Sequence, residues 1–315
     1  MRPGTSKCYL AGVRLLDVIQ RSASFLAERG VESPRLQVEL ILAQVLQLPR
    51  LRLYLEFERE LDDTQLAAAR EAIRKRGQRV PLQHILGTTS FCGLEVAVGP
   101  EALIPRPETE LLAEWAWTWL GRLVRPEGTP AEVLDWGTGT GCLALAISQN
   151  APFARVTAID VSPQALALAR RNANQLGFAP DRVAFVESDG CAALTANQTF
   201  DLVVSNPPYI PTDEIPRLDP EVRDHDPMQA LDGGGDGLTF YRRLVDELRP
   251  RLRPGGRFAM EFGDGQAPAI VALLDSQGWQ VEQVHRDFQG RDRFLVAIPS
   301  QVTPVTPPHP YRPPR

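Results

Sequence analysis

The feature that most constrains the fold is an alternation of short apolar runs with helical patterns from Val133 onward. The strand-like runs are VLDW (133–136), VTAID (156–160), VAFVES (183–188), DLVVS (201–205), RFAMEF (257–262) and FLVAI (294–298). Helical patterns occupy residues 142–149 and 163–176 between the first three. Strands that alternate with helices favour a doubly wound, mostly parallel sheet. Such an open α/β sheet binds its ligands at the carboxyl ends of the strands.

The first third of the chain is predicted to form a small all-helical domain over residues 10–85, because its apolar residues recur at the helical period. Ser33 is predicted to be the N-cap of the second helix, with Pro34 in its first turn. Asp62 or Asp63 is predicted to cap the third helix.

Two further segments flank the predicted sheet domain, which is assigned residues 105–299. Residues 86–104 combine alternating apolar positions with glycines, which predicts a β-hairpin linker. The motif IPRPETELL follows, and its two prolines predict an extended approach with a helix beginning at Glu108 or Thr109. Residues 300–315 are rich in proline and are predicted to be a disordered tail.

A glycine-rich loop follows the first predicted strand directly. Glycines there let the backbone turn sharply and approach a ligand closely. The third glycine of a dinucleotide-binding GxGxxG would fall at Cys142, so that fingerprint fails. The loop instead resembles motif I of class I methyltransferases, where it packs against the methionine part of S-adenosylmethionine. The predicted cofactor-binding residues of this loop are Gly137, Thr138, Gly139, Thr140 and Gly141.

Acidic residues end the next two predicted strands. Asp160 lies about 20 residues past the glycine loop, where a carboxylate can accept both ribose hydroxyl hydrogens. Asp189, followed by Gly190, can accept from the adenine amino group. The structural alternative for both aspartates is a helix N-cap. The set of glycines and two aspartates after three successive strands favours the cofactor site.

The tetrapeptide Asn206-Pro207-Pro208-Tyr209 follows the strand DLVVS. Each proline fixes φ and lacks an N–H, so the turn is stiff, and the Asn206 side-chain oxygen and the Pro207 carbonyl are free to accept. An acceptor NH2 group has two hydrogens and needs two such partners. Neutral oxygens also avoid stabilising a sulfonium cation in its ground state, and Tyr209 can stack on a flat acceptor. We therefore predict that Asn206, Pro207 and Tyr209 are catalytic, and that all four residues bind a planar amide or amine. Asn206, like Gly190, is also predicted to contact the cofactor.

Several longer motifs strongly resemble the release factor glutamine methyltransferases (the PrmC/HemK family). They are PLQHILGTTSFCGLEVAVGPEALIPRP (81–107), IPRPETELL (104–112), SNPPYIP (205–211), DPMQALDGGGDGLTFYRRL (226–244) and PGGRFAMEFGDGQ (254–266). The resemblance covers nearly everything from residue 14 to 298. It implies a class I, Rossmann-like, S-adenosylmethionine-dependent methyltransferase domain preceded by the helical domain and the linking hairpin. It also implies methylation of the glutamine side-chain amide (N5) in the GGQ motif of class 1 peptide chain release factors, which the helical domain helps to dock.

The same resemblance implies that Arg106, Glu108 and Thr109 of the IPRPETE strip organise the pocket. An internal ion pair between Arg106 and a carboxylate would give the same pattern. The chain departs from the family at Trp136, usually aliphatic, and at Gly190, where an aromatic residue often stacks on adenine. His225-Asp226-Pro227 likewise replaces Tyr-Glu-Pro.

Composition and motifs together weigh against the remaining alternative functions. A net charge of −5 argues against a DNA or RNA adenine N6-methyltransferase, which shares the acceptor motif but needs a basic face. A partner-binding module with a vestigial pocket is disfavoured by the intact motifs, and a heme-pathway oxidoreductase by the failed GxGxxG. Four scattered cysteines and no signal-like or membrane-length apolar run predict a cytoplasmic protein without a metal site. We expect a monomer that binds release factors, and neither nucleic acid stably nor membranes.

Overall fold

The computed structural model describes residues 13–300 of the 315-residue chain. Most of the predicted tail and the start of the predicted helical domain therefore lie outside the described residues. The chain divides into two compact units. Among the described residues, one contains 13–90 together with 95–104 and 216–228; the other contains 91–94, 105–215 and 229–300.

The first unit is built mainly from helices. Its N-terminal elements are β1 (Val13–Arg14), α1 (Leu15–Ala27), α2 (Pro34–Leu46), a 3₁₀ helix (Arg50–Leu55), β2 (Glu60–Leu61), α3 (Asp63–Gly77) and α4 (Leu82–Leu86). One apolar face of each long helix enters a common core. Asp62 caps α3 in a capping box with Gln65. Of the two predicted alternatives, Asp62 rather than Asp63 is therefore the cap. Ser33 lies at the N-cap position of α2, as predicted, but its backbone has a φ of 45° and, within residues 13–300, its side chain makes no capping hydrogen bond.

A hairpin follows, formed by β3 (Thr88–Phe91) and β4 (Leu94–Ala97). Its two-residue turn needs positive φ at both positions, and Cys92 and Gly93 have φ of 49° and 78°. A cysteine is strained in this region whereas glycine is not, so Gly93 is the residue that favours the turn.

The second unit contains a seven-stranded sheet in the order β10-β11-β9-β8-β5-β6-β7. The strands are β5 (Ala131–Trp136), β6 (Ala154–Asp160), β7 (Val183–Glu187), β8 (Phe200–Ser205), β9 (Leu252–Glu261), β10 (Trp279–Arg286) and β11 (Asp292–Pro299). The five strands from β9 to β7 are parallel, and β11 and β10 are antiparallel. The predicted mostly parallel sheet is therefore confirmed.

Between the hairpin and residue 300, seven helices occur along the chain. They are α5 (Pro107–Leu120), α6 (Cys142–Asn150), α7 (Pro163–Gln175), α8 (Pro220–Arg223), α9 (Met228–Leu231), α10 (Thr239–Leu248) and α11 (Ala267–Ser276), with two 3₁₀ turns at Ile215–Arg217 and Arg249–Arg251. The predicted start of α5 at Glu108 or Thr109 was wrong, since the helix begins at Pro107. Proline is favourable at the first helical position, where its missing N–H has no partner to lose.

The segment 216–228 belongs to the first unit although it follows β8 in the chain. Glu221 of α8 accepts hydrogen bonds from the guanidinium groups of Arg76 and Arg79, each at 2.6 Å. Arg76 is only 4% exposed and also bonds to Gln37 and to the Val80 carbonyl. Burial alone would raise the pKa of Glu221, but these bonds lower it to about 2. A charged, well-partnered cluster therefore attaches this segment to α3.

Candidate active site

The strand register brings the predicted site residues to one edge of the sheet. Ser205, the last residue of β8, lies beside Trp136, the last residue of β5, and Trp136 pairs with Ile159 of β6. The Ser205 hydroxyl donates to the Trp136 carbonyl at 2.8 Å. The glycine loop, Asp160 and the tetrapeptide that begins at Asn206 therefore leave three neighbouring strands at the carboxyl edge, where open α/β sheets bind ligands.

The glycine loop requires its glycines for different reasons. Gly137, Gly139 and Gly141 have φ of 76°, 55° and 82°, a region that disfavours side chains. A Cβ on Gly141 would lie 3.1 Å from the Ala169 Cβ, so this glycine also permits close packing against α7. A Cβ on Gly137 would meet no atom of the described chain within 4 Å. The loop therefore packs closely against α7 at Gly141, and the space beside Gly137 is open.

Asp135 supports this loop through hydrogen bonds, and it is a functional residue that the sequence prediction missed. Its fully buried carboxylate accepts from the Thr138 hydroxyl at 2.6 Å and from the Ala144 N–H at 3.2 Å. Burial raises the pKa of Asp135 to about 7. The available signal was the aspartate inside the otherwise apolar strand VLDW. A buried strand rarely contains a carboxylate unless that carboxylate is hydrogen bonded, because burying it is costly.

Asp160 also supports the loop. Its carboxylate accepts from the Gly139 N–H at 2.8 Å and from the Ser162 N–H at 2.9 Å, and burial raises its pKa. The bond to Gly139 joins the end of β6 to the glycine loop. Each carboxylate oxygen has a second lone pair, so this role is compatible with ribose hydroxyls. Binding of ribose by Asp160 stays a prediction.

Asp189 lies on the surface, with its side chain 70% exposed, and forms an ion pair of 2.5 Å with Arg243 of α10. The adjacent Gly190 has a φ of 58°, and a Cβ there would lie 2.3 Å from the Glu247 carboxylate. A side chain at position 190, where the family resemblance implies an aromatic residue, would therefore have to displace the ends of the Arg243 and Glu247 side chains. Trp136, the other departure, is buried and makes an edge contact with Phe240.

Asn206 presents its side-chain amide in a defined orientation. Its Nδ2 donates to the hydroxyl of Thr109 at 3.1 Å. Its Oδ1 is buried and accepts no hydrogen bond from any residue between 13 and 300. A buried carbonyl oxygen without a donor is costly, so this atom is a candidate contact for a ligand that brings N–H groups.

The backbone that follows Asn206 is clamped by the glycine-rich loop 231–237. Ile210 exchanges hydrogen bonds with Leu231 and Gly233, at 3.0 and 2.8 Å. A Cβ on Gly233 would lie 2.8 Å from the backbone of Tyr209, so only glycine allows this approach. Gln266 adds a bond from its side-chain amide to the Tyr209 carbonyl at 2.9 Å. These contacts fix the tetrapeptide from the side opposite β8.

One ionisable group belongs to the tetrapeptide, and a second lies close to it. Burial raises the pKa of Tyr209 to about 12, so its phenol stays neutral and the residue offers a ring rather than a base. Glu261, at the end of β9, is only 3% exposed, and burial raises the pKa of its carboxyl to about 7. The sequence prediction missed Glu261, although an acidic residue ending the apolar run RFAMEF was the available signal.

Within residues 13–300, no group of three or more His, Cys, Asp or Glu side chains is arranged to hold a metal ion. Across the same described range, no helix combines the length and apolar character needed to cross a membrane.

Comparison with known proteins gives consistent matches over both units. A family model described as the PrmC N-terminal domain matches residues 17–87, and one described as a methyltransferase small domain matches residues 120–216. The catalytic domain of hMettl16 superposes with a TM-score of 0.52 at 18% identity, covering 72% of this chain and 81% of that one. This likeness shows the fold alone.

Similarity to proteins of one activity extends over nearly the whole chain. A release factor glutamine methyltransferase of Geobacter sulfurreducens is 43% identical over 278 residues, which is 88% of this chain and 94% of that protein. The one of Deinococcus radiodurans is 42% identical over 285 residues, which is 90% of this chain and 98% of that protein. At this identity and coverage, the chain belongs to the release factor glutamine methyltransferase family.

Proposed function

We propose that this protein transfers a methyl group from S-adenosylmethionine to the side-chain amide nitrogen (N5) of the glutamine in the GGQ motif of class 1 peptide chain release factors. S-adenosylhomocysteine would be the second product. The observation that carries the proposal is the acceptor oxygen Oδ1 of Asn206, buried at the carboxyl edge and oriented by Thr109. A primary amide has two N–H groups, and this oxygen and the Pro207 carbonyl can each accept a hydrogen bond from one of them.

The loop at Gly137–Gly141 and the carboxylates that end the neighbouring strands fit the cofactor. The backbone at Gly137 is open on its outer face, and Asp160 and Asp189 would accept from the ribose hydroxyls and the adenine amino group. Gly190 would let the backbone approach the adenine. When bound, S-adenosylmethionine supplies an electrophilic methyl group on a positively charged sulfur.

The residues of the tetrapeptide would act by orientation and by selective stabilisation. Bound S-adenosylmethionine would supply the methyl group, and the amide nitrogen that receives it would then lose one proton to solvent. As the nitrogen attacks, its N–H groups become more acidic, and their bonds to Asn206 Oδ1 and the Pro207 carbonyl strengthen. The ring of Tyr209 would hold the flat amide in line. No side-chain base is required by this scheme.

We further propose that the helical domain docks the release factor. Three apolar side chains of the 3₁₀ helix Arg50–Leu55 are exposed: Leu51 by 71%, Tyr54 by 43% and Leu55 by 76%. Clustered apolar surface of this kind is typical of protein interaction sites. The protein is proposed to act as a monomer in the cytoplasm, where its substrate is made.

Methyl transfer tests the proposal directly. The purified protein is incubated with labelled S-adenosylmethionine and, in separate reactions, with a class 1 release factor, the same factor carrying GGA in place of GGQ, and duplex DNA. We expect label only in the GGQ factor, and a mass increase of one methyl group on the GGQ peptide. Label in DNA alone would instead favour the adenine methyltransferase.

The variant Asn206→Ala separates catalysis from a scaffold role. We expect it to retain binding of S-adenosylmethionine and to lose at least about 10²-fold in kcat, the cost of removing a stabilising partner of the reacting group. If the variant methylates the release factor as fast as the wild type, the Asn206 side chain has no catalytic role.

A further inference from the structure

Three side chains from three separate segments form a chain of hydrogen bonds behind the acceptor site. Asn206 follows β8, Thr109 lies in the first turn of α5, and Glu261 ends β9. The Asn206 Nδ2 donates to Thr109 Oγ1 at 3.1 Å, and the Thr109 hydroxyl is hydrogen bonded to the Glu261 carboxyl. Thr109 and Glu261 are 2% and 3% exposed, so water has little access to either.

The hydrogens available on these groups determine which group donates and which accepts in each of the two hydrogen bonds. An ionised carboxylate only accepts, so the single hydroxyl hydrogen of Thr109 points to Glu261. The lone pairs of that hydroxyl then face Asn206 and can accept only from its NH2 group. The amide is thereby held with Oδ1 turned towards the acceptor site, and the opposite rotamer would leave Nδ2 facing incoming N–H groups.

We propose that Thr109 and Glu261 are positioning residues that set the rotamer of the Asn206 amide and so present its oxygen to the substrate nitrogen. This inference rests on the proposed function, because it assumes that Asn206 Oδ1 accepts from the glutamine amide. Neither residue touches the substrate in this arrangement.

Protonation of Glu261 reverses the direction of the chain. The carboxyl would then donate to Thr109, leaving the Thr109 hydroxyl free to donate to Asn206 Oδ1, which favours the unproductive rotamer. Burial raises the pKa of Glu261 to about 7; Glu108 raises it further, while the Thr109 bond, Arg293 and Arg106 lower it. Besides these groups, Tyr209 lies close to this carboxyl, and Tyr241 donates its hydroxyl to the Glu261 backbone carbonyl. Activity should therefore fall as the pH drops through about 7.

Kinetics of three variants in α5 test the inference. Thr109→Val keeps the shape but removes the hydroxyl, and we expect kcat to fall about tenfold or more, with the KM for release factor changed less than about threefold. Thr109→Ser restores a hydroxyl and should recover kcat to within about threefold of the wild type. Thr118→Val, at an exposed threonine of the same helix, should leave kcat unchanged.

The pH profile separates positioning from mere packing. We expect the wild-type kcat to decline below about pH 7, and both Glu261→Gln and Thr109→Val to be slower but flat over that range. An NMR titration of the protein without cofactor gives a second readout. The side-chain NH2 resonances of Asn206, assigned by their loss in Asn206→Ala, should shift with a midpoint near pH 7 in the wild type only.

The outcomes distinguish this inference from the proposed function. If Thr109→Val keeps wild-type kcat and an unchanged pH profile while Asn206→Ala is inactive, the positioning role is refuted and the proposed function stands. If the wild type and Asn206→Ala methylate equally, the clamp itself fails and the positioning role falls with it. A folding defect in Thr109→Val, seen as a lowered Tm, leaves the decision to Thr109→Ser and to the titration of Glu261→Gln.

Discussion

Replacing Gly233 with alanine tests whether the glycine-rich loop sets the position of Tyr209. A Cβ at Gly233 would lie 2.8 Å from the Cα and the carbonyl carbon of Tyr209 and 2.9 Å from the Gly237 Cα. These neighbours are backbone atoms, which cannot rotate away as the end of a side chain can. Either the loop or the tetrapeptide must therefore move.

The size of the movement follows from the contact distance. The closest approach is about 0.6 Å short of ordinary van der Waals contact, which begins near 3.4 Å. A misplacement of about 1 Å in an active site can cost about 10²-fold in rate, so a shift of this size predicts a loss of roughly tenfold or more in kcat. Overpacking should also lower the free energy of unfolding by about 1–3 kcal/mol.

Gly235 provides a matched control in the same loop. It is exposed, and a Cβ there would meet nothing within 4 Å among residues 13–300. Steady-state methylation of a release factor compares Gly233→Ala with Gly235→Ala, and calorimetry gives the Kd for S-adenosylmethionine, which both variants should keep. Equal kcat values for the two variants would refute the reasoning, because the clash would then have been absorbed without moving the acceptor site.

Two further predictions concern the first unit. Arg76→Ala should lower the free energy of unfolding by about 3 kcal/mol, because it removes a buried guanidinium that bonds to the partly buried Glu221 carboxylate, to Gln37 and to the Val80 carbonyl. Arg74→Ala breaks an exposed ion pair and should cost under about 1 kcal/mol. Urea denaturation compares the two variants, and equal losses would contradict the account of the cluster. The double variant Leu51→Ser and Leu55→Ser should raise the KM for intact release factor about tenfold and leave kcat near the wild-type value. Phe288→Ser, at a 98% exposed side chain of the other unit, is the control, and an unchanged KM in the double variant would place docking elsewhere.

The central strands could be predicted because burial on both faces imposes an uninterrupted apolar run. VLDW, interrupted only by Asp135, and the LVV of DLVVS come close to such runs, and β5 and β8 extend the two segments by only two residues and one residue at the amino end. β10 escaped prediction because its sequence, WQVEQVHR, is mostly polar, and only Trp279 is buried along it. Its place at the edge of the sheet explains that composition, since one side of an edge strand has no neighbour.

The contacts that hold the site could not be read from spacing. Asp189 and Arg243 are 54 residues apart, and their ion pair depends on how α10 packs beside β7 and β8. The motif predicted a carboxylate at the adenine position, but nothing local to it indicates a basic partner. Glu261 and Thr109 meet Asn206 only because α5, β8 and β9 converge at the same edge, so their role needed the three-dimensional arrangement.

The acids of this site explain why the acceptor clamp uses an amide. Burial raises the pKa of both Asp135 and Glu261 to about 7, so the carboxyl edge of the sheet disfavours anions. An aspartate in place of Asn206 would either take up a proton and become a donor, or stay charged and stabilise a cationic methyl donor before the reaction. The amide oxygen of Asn206 remains a neutral acceptor at every pH, and it gains strength only as the attacking nitrogen becomes acidic. The carboxylates hold loops and orient neighbours, and the neutral oxygens are left to contact the reacting group.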